Sequence, residues 1–367
     1  MALLEREAPY FLPFFKKMNI LPYLNFEPKL GNNITAGEWV SIIGRTTVGD
    51  NCHFGNIVTL RADGESIAVG DDCWFAESST VHIADSMFGT TIKNNVTIGR
   101  YALVHACEIG DNCVLGEHAV VMDNAVVGSD AVICANSVVP PGKKLEGGWV
   151  YSGVPAKPRR QLEVAELEKL RQIVKSREKL DGSELVLADN PVKKLLLTPG
   201  EGVVENTNNH SYVAPTASIT GDLTLEKDSS IWFGVEINAS GGSVVLGEAS
   251  NIQDNSRLYV KAGEQIKIGK RVTIGHNVQL HACEIEDGCI IGMGSTLSKG
   301  TIVKKGGVVA AGAVTEPDTI VAEGMIWSGN PARQSRALSE ENARLFSIGV
   351  DVYKTYTQNY NKLNSSS

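Results

Sequence analysis

Aromatic side chains make up only 6% of the 367 residues, so a core built from bulky rings is not to be expected. No apolar run approaches the roughly 20 residues that a bilayer-spanning helix needs. Positive charge is also short: Lys and Arg total 34 against 42 Asp and Glu, a net charge of −8. Such a chain carries no basic field to attract nucleic acid or an anionic membrane surface, and no nucleic-acid partner is expected. Cysteines number seven, at 52, 73, 107, 113, 134, 283 and 289, an odd count without paired metal-type spacing. They read as reduced thiols packed as small hydrophobes, which suits an intracellular or organellar compartment. Glycine, by contrast, is abundant at 37 residues, as a fold with many tight turns requires.

The first 30 residues stand apart, with aromatics and prolines crowded into MALLEREAPYFLPFFKKMNILPYLNF. The stretch is too broken to span a membrane and too acidic for an ordinary transit peptide. It reads either as a strap over the first part of the fold or as an arm that docks on a partner.

From Val48 onward, aliphatic or aromatic residues recur every six positions. The first half runs Val48, Phe54, Leu60, then Val69, Phe75, Val81, then Ile92, Ile98, Val104, and continues from Ile109 through Leu115 to Val139. The second half repeats the scheme from Leu225 through Ile291 to Val309. A period of six matches neither the helical 3.6 nor the strand's 2. Period-six repeats belong to β-helix solenoids, in which three hexads make one triangular coil and the six-spaced residue points inward. The expected fold class is therefore all-β solenoid: two left-handed parallel β-helix domains of hexapeptide repeats, each followed by a C-terminal α-helix. The halves align almost without gaps, Val81 with Leu258, Ile92 with Ile268, and Tyr151–Ala156 with Trp327–Ala332, which marks an internal duplication.

The domain boundaries expected are an arm over 1–30, a first solenoid over 31–160, helix and linker over 161–209, a second solenoid over 210–338, and a terminal helix and tail over 339–367. The helices are predicted at Gln161–Leu180 and Ser339–Lys362, the second opening with the acidic Glu340 and Glu341 that suit a helix N-terminus. If the first helix packs back along its solenoid, the second solenoid can start beside the first and run parallel to it.

Specific stretches carry a family resemblance: Tyr212-Val213-Ala214-Pro215, Ser230-Ile231-Trp232, Asn251-Ile252-Gln253-Asp254, Val272-Thr273-Ile274-Gly275-His276, and the exit Trp327-Ser328-Gly329-Asn330-Pro331-Ala332-Arg333. Together they resemble the gamma-class carbonic anhydrases along most of the chain. In that family three histidines bind a zinc-type ion between subunits of a trimer, the first and third from one subunit and the second from its neighbour. Carried over position by position, the ligand sets split. The first domain keeps His82 and His105 but has Arg100 at the second position; the second keeps His276 and His281 but has Tyr259 at the first. The supporting residues split as well, with Arg61 and Asp63 in the first domain and Gln253 in the second. The losses are complementary, so the resemblance implies either one interface within the chain holding His82, His105 and His276 or, with the seats in the reverse order, two interfaces that depend on a partner's histidines; zinc is the expected ion, with iron and cobalt also open.

Two solenoids in a threefold family further imply either three chains in a six-domain particle or, the favoured arrangement, a separate gamma-carbonic-anhydrase-like subunit in the third seat. The exit motif, the tyrosine-bearing terminal helix and the decayed ligand positions resemble the gamma-carbonic-anhydrase-like subunits of mitochondrial respiratory complex I. That resemblance implies a peripheral place on the matrix side of the inner membrane, against membrane-arm subunits of the complex. The leading expectation is a structural or assembly subunit. The alternatives are an active zinc carbonic anhydrase with an inter-domain site, and a hexapeptide-repeat acyltransferase using one histidine as general base.

Overall fold

The computed structural model describes residues 18–176, 204–206 and 210–365. With one inward side chain per hexad, most strands are only two or three residues long, as in Trp74–Phe75, Thr80–His82 and Thr90–Ile92. They stack in parallel register into a three-sided solenoid. Face A of the first solenoid aligns Phe54, Phe75, Ile98, Leu115 and Ile133. Face B aligns Leu60, Val81, Val104, Val121 and Val139. Face C aligns Val69, Ile92, Ile109, Val127 and Leu145. The second solenoid repeats this, with Ile252, Ile274 and Ile291 on face A′, Leu258, Leu280 and Leu297 on B′, and Ile268, Ile285 and Val303 on C′. Leu115 and Ile291 are both 0% exposed, so the six-residue register holds in both halves and each solenoid has its own core.

The corners are sharp. Asn51, Asp72, Asn95, Asn112 and Asp130 turn with φ between 55° and 60°, a region that Asn and Asp tolerate better than other side chains. Coils also approach closely: a Cβ on Gly116 would stand 2.5 Å from the Ala135 nitrogen of the next coil. That contact is the physical reason a glycine follows the inward Leu115.

Several boundaries differ from expectation. Helix α1 spans Val164–Lys175 rather than starting at Gln161, because Lys157–Gln161 folds back as an antiparallel strand on Trp149–Ser152. Its start is set by a capping box between Glu163 and Glu166. The part of the first helix expected beyond residue 176 lies outside the described residues. Helix α2 spans Glu340–Ser365, longer than expected at its C-terminal end. Inside the expected linker, Val204–Asn206 pairs in parallel with Leu223–Leu225 and so belongs to the second solenoid. The described part of the arm is likewise solenoid: Met18–Leu21 pairs with Val40–Ile43. The docking-arm reading otherwise falls on residues 1–17, which lie outside the described residues.

Leu167 and Val174 of α1 pack on Val114, Val132 and Val150 of face A, so α1 lies along its own solenoid. The solenoids then run side by side in the same direction. Asn255 donates to Ser78 O at 3.2 Å, and one level up Asn277 donates to Tyr101 O at 3.0 Å. Above these polar contacts, Leu103, Val120 and Val138 of face B meet Met293 and Ala311. No helix among the described residues is long and apolar enough to cross a membrane.

Candidate metal centre

Alternation along a strand sends neighbours of an inward residue outward. Leu60, Val81 and Val104 point into the core, so Arg61, His82 and His105 project from face B, one above another in register. His276 comes from the other solenoid, in the turn after Thr273–Ile274, where the first solenoid has Arg100. Packing that corner against face B brings His82, His105 and His276 together. They are 2%, 5% and 0% exposed, and one ring nitrogen from each lies within 4.8 Å of the others.

The remaining nitrogens face carboxylates. His82 Nε2 is 3.1 Å from Asp63 Oδ1, and His105 Nδ1 is 2.6 Å from Asp123 Oδ1. His276 Nδ1 is 3.0 Å from Asp254 Oδ2, though off the axis of a well-aligned hydrogen bond. His82 Nδ1 and His105 Nε2 are already 3.2 Å apart. Imidazoles held from behind by carboxylates, with free nitrogens converging, are the arrangement that orients metal ligands.

Electrostatics keep the His82 and His276 rings neutral, as ligands must be. Burial holds His82 well below its ordinary value, with Arg61 and the other two histidines adding to the effect. Burial likewise brings His276 down to about 4, against the opposing pull of Asp254. Arg61, 0% exposed, pairs with Asp63 and, at 2.9 Å, with Asp254 across the interface. Burial opposes its charge, but the two carboxylates outweigh that and raise its pKa well above the usual guanidinium value. Burial raises Asp63 to about 6 despite Arg61. On Asp254 the same burial is outweighed by Arg61 and His276, which leave it below the carboxylate range. One cation thus ties together the two carboxylates that orient His82 and His276. The three converging imidazoles fit a zinc-type ion.

The other expected positions lie elsewhere. Arg100 is ion-paired with Glu117. Tyr259 and His281 stack on each other on face B′, centroids 6.1 Å apart, away from the three clustered rings. Gln253 is buried next to Asp254, but its amide donates to Asn251 at 3.1 Å and makes no hydrogen bond to the three histidines.

Sequence reasoning missed two features. Asp123 carries no motif and is identified only by its place behind His105. Helix α2 closes the site with Tyr353, Tyr356 and Tyr360, whose hydroxyls reach Arg61 at 2.8 Å, Asp85 at 2.7 Å and Asp63 at 3.5 Å. Their spacing on one helical face was a readable signal.

A family model described as bacterial transferase hexapeptide (six repeats) matches residues 89–122, 107–147 and 263–299. The chain is 33% identical over 156 residues to protein YrdA of Escherichia coli (strain K12), covering 41% of this chain and 85% of that one. It is 40% identical over 157 residues to gamma carbonic anhydrase 1, mitochondrial, of Arabidopsis thaliana, covering 41% of this chain and 57% of that one. A crystal structure of a hexapeptide transferase family protein from Anaplasma phagocytophilum shares 31% identity, with 43% of this chain and 92% of that chain covered and a TM-score of 0.41.

Proposed function

Because the chain belongs to the gamma carbonic anhydrase family of hexapeptide-repeat proteins, we propose that it is a structural and assembly subunit with a single metal centre between its two solenoids. It fills two seats of a three-solenoid module, and a separate gamma-carbonic-anhydrase-like subunit fills the third. The module sits peripherally on the matrix side of the mitochondrial inner membrane, on the membrane arm of respiratory complex I. The carrying observation is that the three converging imidazoles are divided between the solenoids, so an ion there would fasten one to the other. The mitochondrial relatives support the compartment. The replaced positions Arg100 and Tyr259 support loss of the other two sites.

His82, His105 and His276 would hold the ion, and Asp63, Asp123 and Asp254 would orient them. A bound zinc-type ion supplies a Lewis acid and, where a coordination position is open, acidifies water held there. That chemistry favours a second reading, carbon dioxide hydration at the inter-solenoid site, resting on the same carboxylate-backed imidazoles.

Elemental analysis of the purified chain tests the centre: one equivalent of metal is expected, lost in His82→Ala and kept in His281→Ala. Equal metal in wild type and His82→Ala would show the histidines to be a relic. A hydration assay on the loaded chain separates the two readings, since turnover lost in His82→Ala would establish an enzyme. Native gels of mitochondrial membranes test the assembly, and a chain that never migrates with the respiratory complex refutes it.

A further inference from the structure

Helix α2 is held unevenly. Its first turns are open, with Leu345 at 57% and Ile348 at 59% exposure, whereas Tyr353, Tyr356, Thr357 and Tyr360 are buried. Trp232 and Arg61 form the floor beneath them: the Arg61 guanidinium is 4.4 Å from the Trp232 ring centroid and 5.5 Å from that of Tyr353. The three phenols have separate destinations. Tyr356 reaches Asp85 and Tyr360 reaches Asp63, but Tyr353 Oη lies 3.5 Å from His276 Nε2, the nitrogen facing away from Asp254. The same oxygen accepts a 2.8 Å hydrogen bond from Arg61 Nη2.

Four donors at about 2.0–2.1 Å around a tetrahedral ion stand about 3.3 Å from one another. The phenol oxygen is therefore near ligand spacing from His276, on a buried helix face, and Arg61 donates to it against the burial that pushes the phenol well above its ordinary value. The geometry points to Tyr353 as the fourth ligand, which makes the centre a closed three-histidine, one-tyrosine site. This rests on the metal centre proposed above and deepens it. Closed coordination marks structural sites, whereas catalytic ones keep an open position, so the assignment favours the scaffold over the enzyme. On ligation the phenol O–H bond breaks, its proton passes to bulk water, and the phenolate oxygen binds the ion while still accepting from Arg61.

The test loads the full chain with cobalt(II) and follows its visible d–d spectrum during titration with thiocyanate. Wild type should resist the anion, and Tyr353→Phe should bind it about tenfold more tightly or better, because an open position replaces the phenolate. Tyr259→Phe, which removes a hydroxyl on face B′ away from the three histidines, should behave as wild type. A second measurement needs no variant: the iron(III)-loaded wild-type chain should show phenolate vibrations under resonance excitation in the visible. Wild-type cobalt that takes thiocyanate as readily as Tyr353→Phe, or ferric protein without phenolate vibrations, overturns the assignment alone. Failure to bind cobalt at all overturns the metal centre and this assignment with it.

Discussion

Where the first solenoid presents Arg61, His82 and His105 from face B, the second presents Asn238, Tyr259 and His281 from face B′, on the same backbone and in the same register. The carboxylates diverge with them: Asp63 corresponds to Ser240, and Asp123 to Lys299, which pairs with Glu264 instead. The corners show the reverse asymmetry. The second solenoid has glycine at 294 and 312, with φ of 65° at both, where the first has His118 and Asn136 in the same left-handed turn. Those glycines receive side chains from face B. A Cβ on Gly294 would stand 2.8 Å from Val120, and one on Gly312 would stand 2.4 Å from Val138. Inward residues answer to the same coil in both halves and stay apolar. Outward residues answer to whichever neighbour a face meets, and only one of the two possible pairings occurs inside this chain.

The largest expected break in that comparison comes from Arg61. Arg61→Ala leaves Asp63 and Asp254 buried without their cation, and should cost about 3–5 kcal/mol in denaturant unfolding. The equivalent Asn238→Ala, on a face without such partners, should stay within about 0.5 kcal/mol. Similar losses for the two would erase the distinction between the faces.

The corners offer a smaller test. Gly312→Ala forces a methyl against Val138 in a left-handed turn and should destabilise by about 1–3 kcal/mol. Asn136→Ala meets the turn strain without a seated side chain and should cost less than Gly312→Ala when melting temperatures are compared.

The smallest effect is a pH dependence carried by one corner only. Burial first, then Arg257 and Arg100, lowers His118 to about 4. Between that value and the ordinary 6.5 the unfolded chain binds the proton and the folded chain does not. Stability is therefore fully present above pH 6.5 and is lost as pH falls toward 4. Because the ring is only partly shielded from solvent, about 1–2 kcal/mol of this slope should belong to it. His118→Asn should flatten the unfolding free energy across that window by this amount. A variant slope equal to wild type would assign the pH dependence to the other buried histidines.

Much of this was legible beforehand because the repeat is local. Leu115 and Ile291 could be placed inside from spacing alone, since a hexad leaves an inward side chain one orientation. His82, His105 and His276 could be picked out from the resemblance, and Arg61 and Asp63 beside them. Asp123 could not, because it supports His105 from the next coil and belongs to no local pattern. Gln253 stood in a family motif, yet its amide bonds Asn251 while its neighbour Asp254 faces the site. The helix starts also drifted. Gln161 opens the stretch expected to be helical, but it pairs with Trp149 in the exit hairpin, and tertiary pairing overrides its weak helix propensity.

By itself, then, the sequence determined the coil. Period six, small residues after many inward positions and Asn or Asp at many left-handed corners leave the backbone almost no alternative within one solenoid. Which face meets which corner was decided only by tertiary structure. That choice depends on contacts between residues some 190 positions apart, such as Arg61 with Asp254 at |i−j| = 193. No periodicity encodes those contacts, because they arise from the shape and charge of two finished surfaces.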